Sequence, residues 1–463
     1  MSQLEEAIQK QGKEIFNKIG ESQPSGFNTA YWAGKIMEWS MKAPAFKTDM
    51  FRLVDVLPAL KGSYAIASHV QEYLSDSAKE ISGLISWGVN IPPKSLRAKA
   101  ASIAVRQGVT QMARQFIAGE TPSKSLKELR RLRRSGLAFT VDLLGEYCVS
   151  EKEALAYYDR YQEALDVFGE QIPRWDSAAS LFPNHPGEHT PVCISVKLSA
   201  LYSQCYPLNY DKSIEVLTER LTQLARVAKA RSAQIYIDAE DSGRNPVVYQ
   251  VFKNVFGSEE FKDFPYPGIV LQAYAKNSLE LTQDLLSFAK QRGAPIAIRL
   301  VKGAYWDAET VSASQHDWEN PLFLEKWQSD KSFEDLSRLL LDNTEYVLPA
   351  FGSHNIRSLV HACCYADSIG VDKSKYELQM LYGMAEPIAK AFQGEGYLVR
   401  LYVPLGELIP GMGYLVRRLL ENTSNESFLR HTFYDDTETS ELLQAPGAQS
   451  SNNNSSNDSC DQG

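Results

Sequence analysis

The sequence predicts an α/β protein: a TIM-like (β/α)8 barrel with an N-terminal helical arm and small helical domain in front of it, and a final helix over the barrel mouth. Three observations carry this reading. Before Gly136 apolar residues recur at helical spacing only; from Gly136 eight short β-rich runs alternate with helical stretches over roughly 290 residues; and the C-terminal ends of those runs carry polar or special residues.

Residues 1–90 read as the helical arm. Leu4, Ala7, Ile8, Ile15, Phe16 and Ile19 recur at helical spacing, and 31–41 and 64–84 continue the pattern. Phe27, Tyr31, Trp32, Trp39, Phe46 and Phe51 are too many aromatics for a free tail, so the arm should pack on the main body. Pro92-Pro93 punctuates the chain, and 91–135 read as a small helical domain with helices over 95–118 and 123–135, the second ending at Gly136. Arg130, Arg131, Arg133 and Arg134 on that second helix read as a solvated face rather than a nucleic-acid patch, because the whole chain is acidic, with 48 basic against 57 acidic residues and net charge −9. A peripheral membrane contact through them stays open.

The barrel is assigned to 136–435. Its strands are expected at 137–142, 192–197, 234–238, 269–272, 296–300, 346–351, 377–381 and 398–402, with helices such as 151–168, 212–231, 278–292, 333–343 and 356–369 between them. The strand ends supply Asp142, Lys197, Asp238, Gln272, Arg299 with Lys302, His354, Gln379 with Tyr382, and Tyr402. In a barrel these converge on the mouth where sites are built. Residues 436–463, ending in a Ser/Asn-rich run, read as a disordered low-complexity tail without function.

Six scattered cysteines without a Cys-x-x-Cys pair point to a reducing compartment and to no zinc site or disulfide framework. The start is acidic, lacks arginine before Arg52, and no apolar run reaches the roughly 18 residues of a membrane span. A soluble cytoplasmic protein is expected, with a peripheral contact to the inner membrane left open and no nucleic-acid partner.

The helix read at 414–429 presents Arg417 and Arg418 beside Glu421. Arginine forks match carboxylate oxygens two at a time, and the position after the eighth strand makes this a lid helix facing a small anion. Lys197 joins them. With few side chains able to attack covalently, a bound cofactor is the natural source of reactivity. No G-x-G-x-x-G, P-loop or H-E-x-x-H motif is present, and no His/Cys cluster calls for a metal. A flavin on the strand ends would use Arg299 as a positive charge, Gly303-Ala304 for close backbone approach, Trp306 as a stacking plane and Ser353-His-Asn at a helix start for a pyrophosphate.

Five motifs in order, Val196-Lys-Leu-Ser-Ala200, Asp238-Ala-Glu240, Gln272-Ala-Tyr274, Arg299-Leu-Val-Lys-Gly-Ala-Tyr-Trp-Asp-Ala-Glu309 and Tyr414-Leu-Val-Arg-Arg-Leu-Leu-Glu-Asn-Thr-Ser-Asn-Glu-Ser-Phe428, resemble the proline dehydrogenase family. Within it they are most similar to the proline dehydrogenase part of bacterial proline utilisation A proteins, over about residues 95–435. The resemblance implies a distorted barrel binding FAD non-covalently, oxidation of L-proline to Δ1-pyrroline-5-carboxylate with hydride passing to flavin N5, and electron transfer to membrane quinone. It further implies that Lys197, Arg417 and Arg418 hold the proline carboxylate, while Asp238, Leu381 and Tyr402 line the substrate pocket with Tyr402 against the ring. Arg299 would sit at flavin N5. Gln272, Val301, Gly303, Ala304, Trp306, His354, Asn355, Gln379, Glu421, Ser427 and Phe428 would contact FAD. The chain departs from the family at Leu324-Glu325-Lys326, where Thr-Arg-Lys is frequent, and the aldehyde dehydrogenase domain of bifunctional relatives is expected to be absent. From the residues alone, a barrel lyase with a Schiff base on Lys197 and a non-enzymatic scaffold are the competing readings.

Overall fold

The computed structural model describes residues 2–21, 56–76, 114–145, 148–175, 191–407 and 438–447, together with isolated positions between 45 and 53 and between 95 and 107. Eight strands, β1 (Ala138–Leu143), β2 (Val192–Val196), β3 (Ala233–Ile237), β4 (Gly268–Gln272), β5 (Ile296–Val301), β6 (Val347–Gly352), β7 (Glu377–Leu381) and β8 (Val399–Leu405), close into one barrel in chain order. Every neighbouring pair is parallel, and β8 returns to β1 in register from Ala138↔Arg400 to Leu143↔Leu405. The (β/α)8 expectation holds. Strands covered on both faces need near-continuous apolar sequence, as in the fully buried Val-Cys-Ile-Ser-Val of β2.

Among the described residues the α-helices are α1 (Gln3–Glu21), α2 (Ser63–Leu74), α3 (Pro122–Arg134), α4 (Glu151–Gln171), α5 (Tyr210–Ala230), α6 (Asn245–Phe256), α7 (Ser278–Arg292), α8 (Trp306–Gln315), α9 (Lys326–Leu341), α10 (Ile356–Ser368), α11 (Glu386–Gly394) and α12 (Thr439–Leu442). Their starts follow local chemistry. Thr121 and Ser150 accept hydrogen bonds from the amides of Lys124 and Glu153, capping α3 and α4, and α7 stops at left-handed Gly293. The amphipathic stripe of α1 buries Ile8, Ile15 and Ile19 in the same apolar core as the barrel helices, with α10 and α11 as its main neighbours.

Four local expectations change. The basic run on α3 is not one solvated face, because Arg133 is buried, and burial followed by the nearby Arg400 pushes its pKa down. The helix expected at 333–343 begins at Lys326, seven residues earlier, where Glu325 and Gln328 form a reciprocal capping box. A separate short helix, α8, follows β5 before it. Finally, 438–447 are not a structureless tail. Leu443 is fully buried against Gly12, and its carbonyl accepts from Gln9 and Arg357, fastening this segment to α1 and α10. Composition hides this because a single apolar anchor is enough. Among the described residues no helix is long and apolar enough to cross a membrane.

Candidate active site

The C-terminal ends of the strands surround a cavity of about 320 Å³. Of the residues singled out from the sequence, Asp142, Lys197, Asp238, Gln272, Arg299, Val301, Gly303, Ala304, His354, Gln379, Leu381 and Tyr402 all line it. They come from all eight strands or the residues just past them. Parallel strands with one direction of travel put every such residue on the same end of the barrel.

A charged cluster fills one side. Lys197, immediately after β2, donates from Nζ to Asp142 Oδ1 at 2.6 Å and to the Tyr402 hydroxyl at 3.1 Å, and lies 3.4 Å from Asp238 Oδ2. Asp238 is held from the other side, accepting from Arg299 Nη1 at 2.8 Å and from the Tyr402 hydroxyl at 2.7 Å. All but the half-buried Tyr402 are buried. Burial, then the carboxylates of Asp142 and Asp238, push the Tyr402 phenol far above its usual range against the pull of Lys197 and Arg299. Tyr402 is therefore a permanent donor to Asp238.

Arg299 on β5 is fixed by a second set of contacts. Nε donates to Gln379 Oε1 at 2.6 Å, Nη1 also reaches Ser195 Oγ at 3.1 Å, and the guanidinium carbon lies 4.2 Å from the centre of the Tyr236 ring. Gln379 in turn donates to Glu377 Oε1 at 2.5 Å, and Glu377 binds Arg400 through both oxygens, at 2.8 and 2.9 Å. The polar interior of the barrel thus sets the orientation of Arg299. Ser195, Glu377 and Arg400 were not singled out from the sequence, since only cross-barrel proximity gives them a role.

The rest of the wall is built from backbone and amides. Gly303 sits at φ +135°, and a Cβ there would fall 2.4 Å from the Tyr274 ring, so the chain can pass this point only as glycine. Gln272 Oε1 accepts from Asn245 at 3.0 Å, and its amide nitrogen lies 3.3 Å from the Tyr274 hydroxyl, which is tied to Glu309. His354 Nε2 accepts from the Leu381 amide at 2.9 Å, locking these two predicted residues together. Two others stand off the cavity wall. Trp306, at the start of α8, is 39% exposed with its indole N–H given to the Phe323 carbonyl, and Asn355 spends its side chain capping α10 through the Ser358 amide. Arg417, Arg418, Glu421, Ser427 and Phe428 lie outside the described residues.

This donor set fits a flavin. Arg299 Nη2 is buried at the cavity without a hydrogen-bond partner, so its N–H is open to an acceptor atom of a ligand or a water. The glycine turn at 303 and the amides of Gln272 and Gln379 border the same space.

Residues 125–431 match the family described as proline dehydrogenase, and residues 5–116 match the proline utilization A N-terminal domain. The bifunctional protein PutA of Escherichia coli (strain K12) is 32% identical over 342 residues, covering 72% of this chain and 25% of that protein. Proline dehydrogenase 1 of Bacillus subtilis (strain 168) is 28% identical over 336 residues, covering 73% of this chain and 94% of that protein. The crystal structure of proline utilization A from Bdellovibrio bacteriovorus inactivated by N-propargylglycine superposes with a TM-score of 0.87 at 39% identity, covering 96% of this chain and 44% of that one. The chain thus spans about a quarter of the length of the E. coli bifunctional relative and under half of the Bdellovibrio chain. With more than half of its residues inside the matched region, the chain belongs to the proline dehydrogenase family.

Proposed function

We propose that the chain oxidises L-proline to Δ1-pyrroline-5-carboxylate, the first step of proline catabolism, with FAD bound at the barrel mouth and membrane quinone as the onward acceptor. The protein would work in the cytoplasm and meet the inner membrane only peripherally. The observation that carries this reading is the single hydrogen-bonded cluster of Lys197, Asp238, Arg299 and Tyr402 on one cavity at the C-terminal end of the barrel, in a chain of this family.

Oxidising a C–N single bond to C=N removes a hydride equivalent and a proton, and bound FAD supplies the two-electron acceptor. The protein's task is then binding and orientation. Lys197, with Arg417 and Arg418, would hold the proline carboxylate; Leu381 and the Tyr402 ring would flank the apolar ring carbons. Asp238, anchored by Arg299 and Tyr402, would set a carboxylate near the positive charge that grows on the substrate C=N. Arg299 would face the flavin, with Gln272, Val301, Gly303, Ala304, His354 and Gln379 around it. Trp306, Asn355, Glu421, Ser427 and Phe428 would complete the cofactor contacts.

The Schiff-base reading of Lys197 loses support, because an ammonium held 2.6 Å from a buried carboxylate is a poor nucleophile. Replacing Arg417 or Arg418 by Met should raise KM for proline about 10- to 100-fold, since a charged hydrogen bond is worth about 1.5–3 kcal/mol. Unchanged KM in both variants would overturn the carboxylate assignment.

A further inference from the structure

Asp142 is a polar residue of the cavity, beside Lys197, to which the proline reading gives no role. It is the next-to-last residue of β1 and fully buried, and among the described residues its Oδ1 is the nearest acceptor to Lys197 Nζ, at 2.6 Å. The alternative, Asp238, is already engaged. Its Oδ1 takes Arg299 and its Oδ2 takes the Tyr402 hydroxyl, which leaves Lys197 at 3.4 Å. Tyr402 approaches the ammonium as a hydroxyl at 3.1 Å, and the Tyr161 hydroxyl on α4 accepts from the Lys197 backbone amide rather than from Nζ. Arg299, the other cation of the cluster, lies beyond Asp238 and shares that carboxylate with it. Among the charged groups facing Nζ from β1, β3, β5 and β8, Asp142 is therefore the carboxylate closest to the lysine.

The geometry assigns Asp142 as the positioning residue that keeps Lys197 charged and aimed into the cavity for a substrate carboxylate. The inference rests on the proline reading above. A lysine this buried is an ammonium only while a carboxylate compensates the lost hydration; with Asp142 neutral, it either sheds its proton or swings towards Asp238 and breaks the Arg299–Asp238–Tyr402 arrangement. Either way carboxylate binding weakens, and it weakens more as pH rises.

The test compares the full chain with Asp142→Asn and Asp142→Glu, in steady-state proline oxidation with a soluble electron acceptor from pH 6 to 10. Asp142→Asn is expected to raise KM for L-proline about tenfold or more while kcat falls by less than about threefold, and its KM should climb with pH inside a window where wild-type KM is flat. Asp142→Glu, which restores the charge, should recover most of the KM and the flat profile. Isothermal titration with cyclopentanecarboxylate, which has the ring and carboxylate but no amine, should show the same loss and recovery. An Asp142→Asn enzyme with wild-type KM and pH profile would overturn the assignment, as would a stably folded Asp142→Glu that recovers neither. Wild-type protein that neither turns over proline nor binds the carboxylate defeats the proline reading itself, a result separable from the first two.

Discussion

Glu377→Gln tests how the barrel interior holds the site. Glu377 is 1% exposed and accepts hydrogen bonds from Arg400 at 2.8 and 2.9 Å and from Gln379 at 2.5 Å. Burial alone would push the Arg400 pKa down; the Glu377 carboxylate beside it reverses the direction. Glutamine keeps the shape but removes the charge and turns an amide N–H towards a guanidinium that is itself only a donor. Removing one partner of a buried ion pair costs about 3–5 kcal/mol, so a loss of that size is expected in equilibrium urea unfolding followed by tryptophan fluorescence. Arg400→Met should cost a similar amount. The double replacement Glu377→Leu with Arg400→Leu should cost far less than the two single losses added together, because no uncompensated charge remains. A Glu377→Gln loss below about 1 kcal/mol, or additive losses in the cycle, would refute the reasoning. Because Gln379 hangs on the same carboxylate, the variant should also loosen Arg299 and weaken flavin retention.

Two further outcomes follow from buried groups. His361 is fully buried, accepts from Arg338 at 3.0 Å, and its pKa is pushed down to about 3 by burial and then by Arg338 and Arg357. The unfolded chain takes up that proton near pH 6.5, so the folded state loses stability as pH falls from there, by up to about 1.4 kcal/mol per pH unit. His361→Gln keeps an acceptor for Arg338 without a titrating ring, and its acid-unfolding midpoint should move to lower pH; an unmoved midpoint would contradict this. Gly303→Ala must place a Cβ at φ +135° against the Tyr274 ring, so a lower melting temperature and weaker retention of added FAD are expected, whereas wild-type behaviour in both would contradict the tight-turn account.

The barrel was legible because each strand is a short buried run between helical stretches, and its C-terminal end carries a polar residue that an all-apolar run would not need. That pattern alone points to Lys197, Asp238, Gln272, Arg299, Gln379 and Tyr402, all of which line the cavity. What it could not supply is pairing. That Asp142 rather than Asp238 is the nearest partner of Lys197, or that Gln379 is steered by Glu377, depends on strands far apart in sequence meeting across the barrel. Trp306 and Asn355 were equally legible as parts of motifs, but their local partners were not: Asn355 caps a helix and Trp306 gives its indole N–H to the Phe323 carbonyl outside the cavity wall. The buried Leu443 was missed because one anchor does not register against a polar background.

The most direct measurement is the absorption spectrum of the purified chain reconstituted with FAD, before and after anaerobic addition of L-proline. The account predicts a bound flavin spectrum that L-proline bleaches and D-proline or buffer leaves unchanged. Protein that takes up no FAD, or bound flavin that L-proline leaves oxidised, would contradict it.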